Sequence, residues 1–373
     1  MIDMANLLLS EEETMLQDAA RGFLDGAAPI SAFRKLRDAG QAFDPGLWAE
    51  MAQMGWAGIL VSEEAGGADM GHAAAGILAG EMGKTLAASP FLSTAVIAAT
   101  ALRDTGGEAL IEIASGRRTY ALAIDEGQKF APLNIKTEAR TEGNGYVLNG
   151  SKCFVVDGGF ADNILVLART GDGADDLTLF DLPKDTHGLD IASRPMVDAR
   201  SAAAITLDDV TATGDHIVGS LNGAMDVLRP ALMAGQAALA AEMTGLSAGA
   251  FAMTLGYLSE RQQFGRLIGS FQALQHRAAH LWSQIEVTSS AILNAGRMLD
   301  SDADRAGLAV SLAKARAADT AKLAVIEGVQ MHGGVGMTDA FDIGFYMKRA
   351  RVSTEWLGDY SYHAEQVATY RGF

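Results

Sequence analysis

A single cysteine, Cys153, stands in 373 residues. That excludes an intrachain disulfide framework and fits a reducing, cytoplasmic setting. Cations are also scarce. The 29 Lys and Arg against 46 Asp and Glu give a formal net charge of −17, which excludes a nucleic-acid surface built on clustered cations. It equally excludes docking on an anionic membrane. No run of about 18 apolar residues free of charge is present, so no membrane span is expected. The first residues, MIDMANLLLSEEE, lack a charged-then-apolar leader. The seven histidines form no ligand set; His276 and His280 are four apart on a helical pattern but lack a third partner, so no metal site is expected. No internal repeat or low-complexity segment stands out.

What is present is patterned in three blocks, read as 1–117, 118–215 and 216–373. The first is helical. Ser10 and Glu13 have capping-box spacing, Asp44-Pro45 marks a helix start with Leu47, Met51 and Met54 on one stripe, and Glu63–Gly71 reads as a loop. Ala73–Gly83 and a segment from Pro90 to Leu102 read as further helices. The second block carries short β-type runs at Tyr120–Ile124, Tyr146–Leu148, Lys152–Val156, Ile164–Ala168, Leu177–Asp181 and Ala203–Leu207. Asn149-Gly150 reads as a hairpin turn, and Cys153 as a core strand residue. The expected domain is an antiparallel barrel or sandwich. The third block is alanine-rich and helical, with segments continuing to about 258, at about 270–300 and 304–330, and a last one over about 340–370. Four long amphipathic helices imply an antiparallel bundle. The fold class is therefore α+β, mainly α: a helical N-terminal domain, an antiparallel β domain and a C-terminal four-helix bundle.

Chemistry concentrates in Glu260–His276, ERQQFGRLIGSFQALQH. Arg261 is a fixed cation, Phe264 a large apolar plate, and Gln272 both donates and accepts hydrogen bonds. Gly265 and Gly269 interrupt the helical pattern. A second glycine-broken stretch, QMHGGVGMT, begins at Gln330. The pair could clamp an anionic, aromatic ligand such as a dinucleotide.

RQQFG, SFQALQH and QMHGGVG resemble the C-terminal half of the acyl-CoA dehydrogenase family. LWAEMAQMGWAGILVSEEAGGADMG and LAGEMGK (Leu78–Lys84) are similar to its N-terminal half. The resemblance implies FAD as cofactor, with Arg261 on the pyrophosphate and Phe264 along the flavin–adenine chain. Gln272, Gln330 and the backbone of Gly333 and Gly334 would bind the adenosine end. In that family these residues reach across an interface to a neighbour's FAD. His332 is expected to be a packing or interface residue rather than a ligand.

The family reaction needs a carboxylate base. By resemblance that base precedes a glycine before the last helix or an Arg at the start of the first bundle helix. Leu357 and Leu228 stand at those two positions, so no catalytic residue is assigned; Asp359 and Glu355 are the nearest substitutes. In the β domain, Ile124 and Asp125 replace the Thr and Glu of a flavin-cradling turn, and Phe154 and Val156 replace a Trp and a Thr. Buried flavin edges left unpaired would cost roughly 1–3 kcal/mol per lost hydrogen bond. The pattern resembles the base-lacking subunit of heteromeric (α2β2) dehydrogenases. Three readings stay open. One is a partner subunit that completes a homologous catalytic subunit's FAD site. Another is a self-sufficient homotetramer with a displaced base. The last is a non-enzymatic scaffold. Acyl-CoA and an electron-transfer flavoprotein are the further partners the resemblance implies.

Overall fold

The computed structural model describes residues 7–373; residues 1–6, where the stretch read for a leader begins, lie outside the described residues. In chain order come α1 (Glu11–Ala27), α2 (Ile30–Asp38), α3 (Pro45–Gln53), α4 (Gly71–Thr85), a π-helical stretch Phe91–Ala98 running into α5 (Ala99–Ala101), and α6 (Glu108–Ala114). Then follow β1 (Tyr120–Ala123), β2 (Glu138–Glu142), β3 (Gly145–Val156), β4 (Asn163–Arg169), β5 (Leu177–Pro183), β6 (Leu189–Pro195), β7 (Ser201–Thr213) and β8 (Ile217–Val218). The remainder is α7 (Ala224–Glu260), the short strands β9 (Gln262–Gln263) and β10 (Arg266–Leu267), then α8 (Gln272–Ser301), α9 (Ala306–His332), α10 (Ile343–Glu355) and α11 (Tyr360–Tyr370). Helix, sheet and helix succeed one another as expected. By contacts the described chain forms two compact units: residues 7–38, 72–88 and 236–373, and residues 39–71 and 89–235.

The second unit is built on one sheet, ordered β6-β7-β3-β2-β4-β5-β8, with β1 paired to β4. Its core is apolar and mostly aliphatic, with Leu148, Ile164, Val166, Leu182, Ile205 and Val210 buried around Phe180. Most pairings are antiparallel, but β1 runs parallel to β4, which departs from the purely antiparallel expectation. Asn149-Gly150 is not a turn. It sits inside β3 at a register shift against β7, where Asn149 Nδ2 donates to Asp209 across the ladder at 2.8 Å. A Cβ on Gly150 would come within 2.6 Å of Thr137 Oγ1, so the glycine serves close backbone approach at a bulge. The hairpin turn is Gly143-Asn144, between the paired Glu142 and Gly145. Cys153 is half-buried rather than core.

The first unit is a helical bundle whose elements touch backbone to backbone. A Cβ on Gly245 of α7 would lie 1.8 Å from Gly80 O of α4. Buried Arg349 of α10 grips Glu242 of α7 through Nε at 2.6 Å and Nη2 at 3.0 Å, the two-pronged geometry a guanidinium favours. The expected last helix is two helices, α10 and α11. They part at Leu357 and Gly358, whose φ values are 58° and 102°. Gly358 is required there, because a Cβ would meet Tyr362 Cδ1 at 2.6 Å and His363 Nε2 at 2.8 Å. One helix, α7, is by length and composition apolar enough to span a membrane, although charged residues interrupt it. Its apolar window is 67% buried inside the protein, as befits a core helix.

Candidate functional site

Helix α7 ends at Glu260, and the chain turns out into the β9–β10 hairpin. Its two-residue loop, Phe264-Gly265, has φ of 54° and 78°, the sign pattern of a type I′ turn. Phenylalanine in left-handed backbone costs roughly 1–2 kcal/mol. The chain returns little for it, since Phe264 is 90% exposed. Its ring meets the edge of Phe271, centroid to centroid 6.1 Å, while the Arg266 guanidinium covers Phe271 at 4.0 Å. The hairpin is anchored to its root by Ile268 N donating to Arg261 O at 2.9 Å.

At the end of α9, Gly333 takes φ 65°, and its N–H bonds to Gln330 O. A Cβ added at Gly333 or Gly334 would meet nothing within 4 Å. Packing within the chain therefore does not demand a glycine at 334, and at 333 only the backbone conformation does. Both suit a surface approached from outside.

The two stretches spring from the same end of the bundle. Tyr257, in the last turn of α7, stacks on His332 of α9 at 4.5 Å. Phe341 meets both rings edge-on at 6.0 Å. Arg277, early in α8, donates to Glu327 of α9 at 2.6 Å. His332 is buried and donates through Nδ1 to Gly328 O at 2.7 Å, so it packs as expected. Around this end stand Arg261, Phe264, Gln272, Gln330, Gly333 and Gly334, all exposed. Among the described residues none pairs with the side chains of Arg261, Gln272 or Gln330.

The α10–α11 break is the opposite in character: it is buried, and its backbone carbonyls are met from within the fold, although Ser353 Oγ and His363 Nδ1 are buried without partners among the described residues. Leu357 is 3% exposed. Its carbonyl accepts from Gln236 Nε2 at 3.2 Å and His363 Nε2 at 3.0 Å. Lys314 of α9, fully buried, donates to Ser353 O at 3.1 Å and Gly358 O at 3.0 Å. Burial drives the Lys314 ammonium down to about 7, against the pull of Asp359 and Glu355. Burial, with the Lys314 charge behind it, lowers His363 to about 4. Sequence reading missed Lys314, His363 and Gln236; a lone lysine on the alanine face of α9 was the available signal. The two substitute acids are engaged elsewhere. Glu355 pairs with Arg351 at 2.8 Å, and Asp359 caps α11 by accepting from Tyr362 N at 2.9 Å. Leu228, at the other base position, is wholly buried in the first turns of α7.

In the sheet unit, Ile124 and Val156 are buried and Phe154 adopts φ 52°. Asp125 Oδ1 is buried without a partner, and burial raises the carboxyl to about 6 although Lys152 opposes it. Glu126 is saturated instead, accepting from Lys136 N, Thr137 N, Thr137 Oγ1 and Lys152 Nζ at 2.6–3.0 Å. An aliphatic edge and an acceptor-only carboxylate are a poor donor set for a flavin ring. The exposed hairpin and glycine loop suit a dinucleotide better.

The acyl-CoA dehydrogenase N-terminal, middle and C-terminal domain families match residues 10–112, 123–210 and 223–370. The chain is 30% identical over 352 residues to the acyl-CoA dehydrogenase IpdE2 of Mycolicibacterium smegmatis, covering 94% of this chain and 96% of that one.

This protein belongs to the acyl-CoA dehydrogenase family.

Solved structures agree. The ChsE4-ChsE5 complex of Mycobacterium tuberculosis contains a chain 25% identical, with a TM-score of 0.88 and 98% of each chain covered. The Tcur3481-Tcur3483 steroid acyl-CoA dehydrogenase variant contains one 29% identical, TM-score 0.87, covering 96% of this family member and 97% of that chain.

Proposed function

We propose that this acyl-CoA dehydrogenase is the partner subunit of a heteromeric enzyme, completing the FAD site of a homologous catalytic subunit while lacking a base of its own. The observation that carries the reading is Phe264: a strained, 90% exposed aromatic at a hairpin tip. Backbone strain of this kind clusters at ligand clamps and active sites, and here no packing within the chain accounts for it. Arg261, at the root of the same hairpin, offers a guanidinium fork suited to a pyrophosphate. Gln272, Gln330 and the open backbone at Gly333 and Gly334 would receive the adenosine end. FAD, when bound, is the hydride acceptor of the family's desaturation of acyl-CoA thioesters. The residues at the two expected base positions here, Leu357 and Leu228, cannot accept a proton. The two-component complexes among the solved structures support a homologous second chain, and one of them points to a steroid-like acyl group for the assembly. An electron-transfer flavoprotein as electron acceptor and a cytoplasmic location complete the proposal.

The test is coexpression with a catalytic homologue. Flavin content should be near zero for the lone chain and about two FAD per four chains in a symmetric α2β2 complex, with acyl-CoA oxidation confined to the complex. A lone chain that purifies yellow and desaturates an acyl-CoA by itself would overturn the reading.

A further inference from the structure

The glycine loop after α9 is held at both flanks, and one holder comes from α2, 308 residues away in the chain. On the near flank are the Tyr257, His332 and Phe341 rings described above. On the far flank, Arg37 Nη1 and Nη2 reach the two oxygens of Asp339 at 2.5 and 3.0 Å. Arg34 Nε and Nη2 both reach Asp342 Oδ1, at 3.0 and 2.5 Å, and its Nη1 lies 3.4 Å from Asp339. Both guanidiniums lie over the Phe345 ring, at 4.7 and 4.8 Å, with Phe33 edge-on to the same ring at 5.3 Å. Asp38 competes for Arg37 at 2.7 Å, and Lys348 adds to the positive field at Asp339.

Single exposed ion pairs contribute little. This cluster differs in being forked, shared between two arginines and stacked on a ring. Between the flanks the loop has few ties of its own. Thr338 donates twice to Val335 O, from N at 3.0 Å and Oγ1 at 2.7 Å, but Gly333 and Gly334 are exposed and unpacked. A loop with two free glycines loses much backbone freedom on receiving a ligand, and fixing its ends beforehand reduces that loss.

We infer that Arg34 and Arg37 are positioning residues for this loop: by gripping Asp339 and Asp342 they hold Gly333 and Gly334 ready for the adenosine end of a dinucleotide. The inference rests on the FAD-completing role proposed above. Its experiment separates the two by using FAD and FMN, which lacks the adenosine, on the coexpressed complex. A wild-type complex that binds FAD no better than FMN would defeat the underlying role itself. Given that preference, the double variant Arg34→Met/Arg37→Met should bind FAD roughly tenfold more weakly, with FMN affinity and assembly unchanged. Arg37→Asp should act likewise, and pairing it with Asp339→Arg should restore FAD binding. That swap decides the matter if the methionine variant does not assemble. FAD affinity within twofold of wild type in an assembled Arg37→Asp complex overturns the inference. So does a loss shared equally by FMN, or a swap that restores nothing.

Discussion

The imidazole of His332 lies on the phenol ring of Tyr257 at 4.5 Å and 23°. The contact fastens the last turn of α7 to the last turn of α9, and each helix end launches one exposed segment. Tyr257→Ala should cost about 2 kcal/mol of stability, from lost area and the ring pair together. Because the same contact sets the spacing of hairpin and loop, flavin retention by the complex should fall with it. Chemical denaturation and flavin absorbance on one preparation check both; unchanged flavin with lowered stability would separate the contact from the site.

Phe264 should behave in the opposite way. Phe264→Gly removes the left-handed penalty at a residue that packs on almost nothing. The lone chain should gain about 0.5–1 kcal/mol, partly offset by the freer unfolded chain. The complex should lose flavin affinity through loss of the plate. A residue whose removal stabilises the subunit and harms the assembly is serving the assembly. Melting temperature of the lone chain and flavin content of the complex are the readouts.

Much of this was legible from residue order. The Ser10–Glu13 capping box forms, the Asp44-Pro45 start caps α3, and the glycine-broken motifs fall where helices end. What escaped has physical causes. Strand β2 buries one residue of five and β6 buries none of its seven fully, so neither offers an apolar run to read. Asn149-Gly150 carries turn chemistry but is captured by cross-strand contacts to Asp209 and Thr137. The break at Leu357-Gly358 depends on His363 and Lys314 arriving from other elements, which local patterning does not encode. The same blindness hid the α2 arginines, whose partners lie at the far end of the chain.

Glycines in the bundle divide by what lies opposite them. Gly245 faces Gly80 O, which an added Cβ would approach to 1.8 Å, whereas a Cβ on Gly76 would find Ala241 at 3.8 Å. Gly245→Ala must therefore push α4 from α7 and should cost about 3 kcal/mol or more. Gly76→Ala, in mid-helix with room to spare, should gain about 0.5–1 kcal/mol. Urea midpoints of the two variants should move in opposite directions. Movement together would contradict the backbone-contact account of the α4–α7 crossing.

Lys314 makes stability depend on pH in a definite direction. Burial holds its pKa at about 7 instead of 10.5, so between those values the unfolded chain carries a proton the folded chain has shed. Stability then rises with pH across that window and is flat in this contribution below pH 7, where both states are charged. The hydrogen bonds survive the change, because a neutral amine keeps two N–H groups and Lys314 has two carbonyls to serve, Ser353 O and Gly358 O. Lys314→Met removes the titration and strands both carbonyls, so the variant is less stable throughout. The gap between wild type and variant should widen by on the order of 1 kcal/mol per pH unit from pH 7 to 9. Below pH 6.5 a separate decline should remain in both proteins from His363, whose pKa of about 4 makes it bind its proton more readily once unfolded. Urea titrations at pH 6, 7, 8 and 9 measure the gap directly. A gap that stays constant across that range would mean the ammonium keeps its charge inside the fold, and the α10–α11 break is then held by a buried cation rather than by a neutral amine.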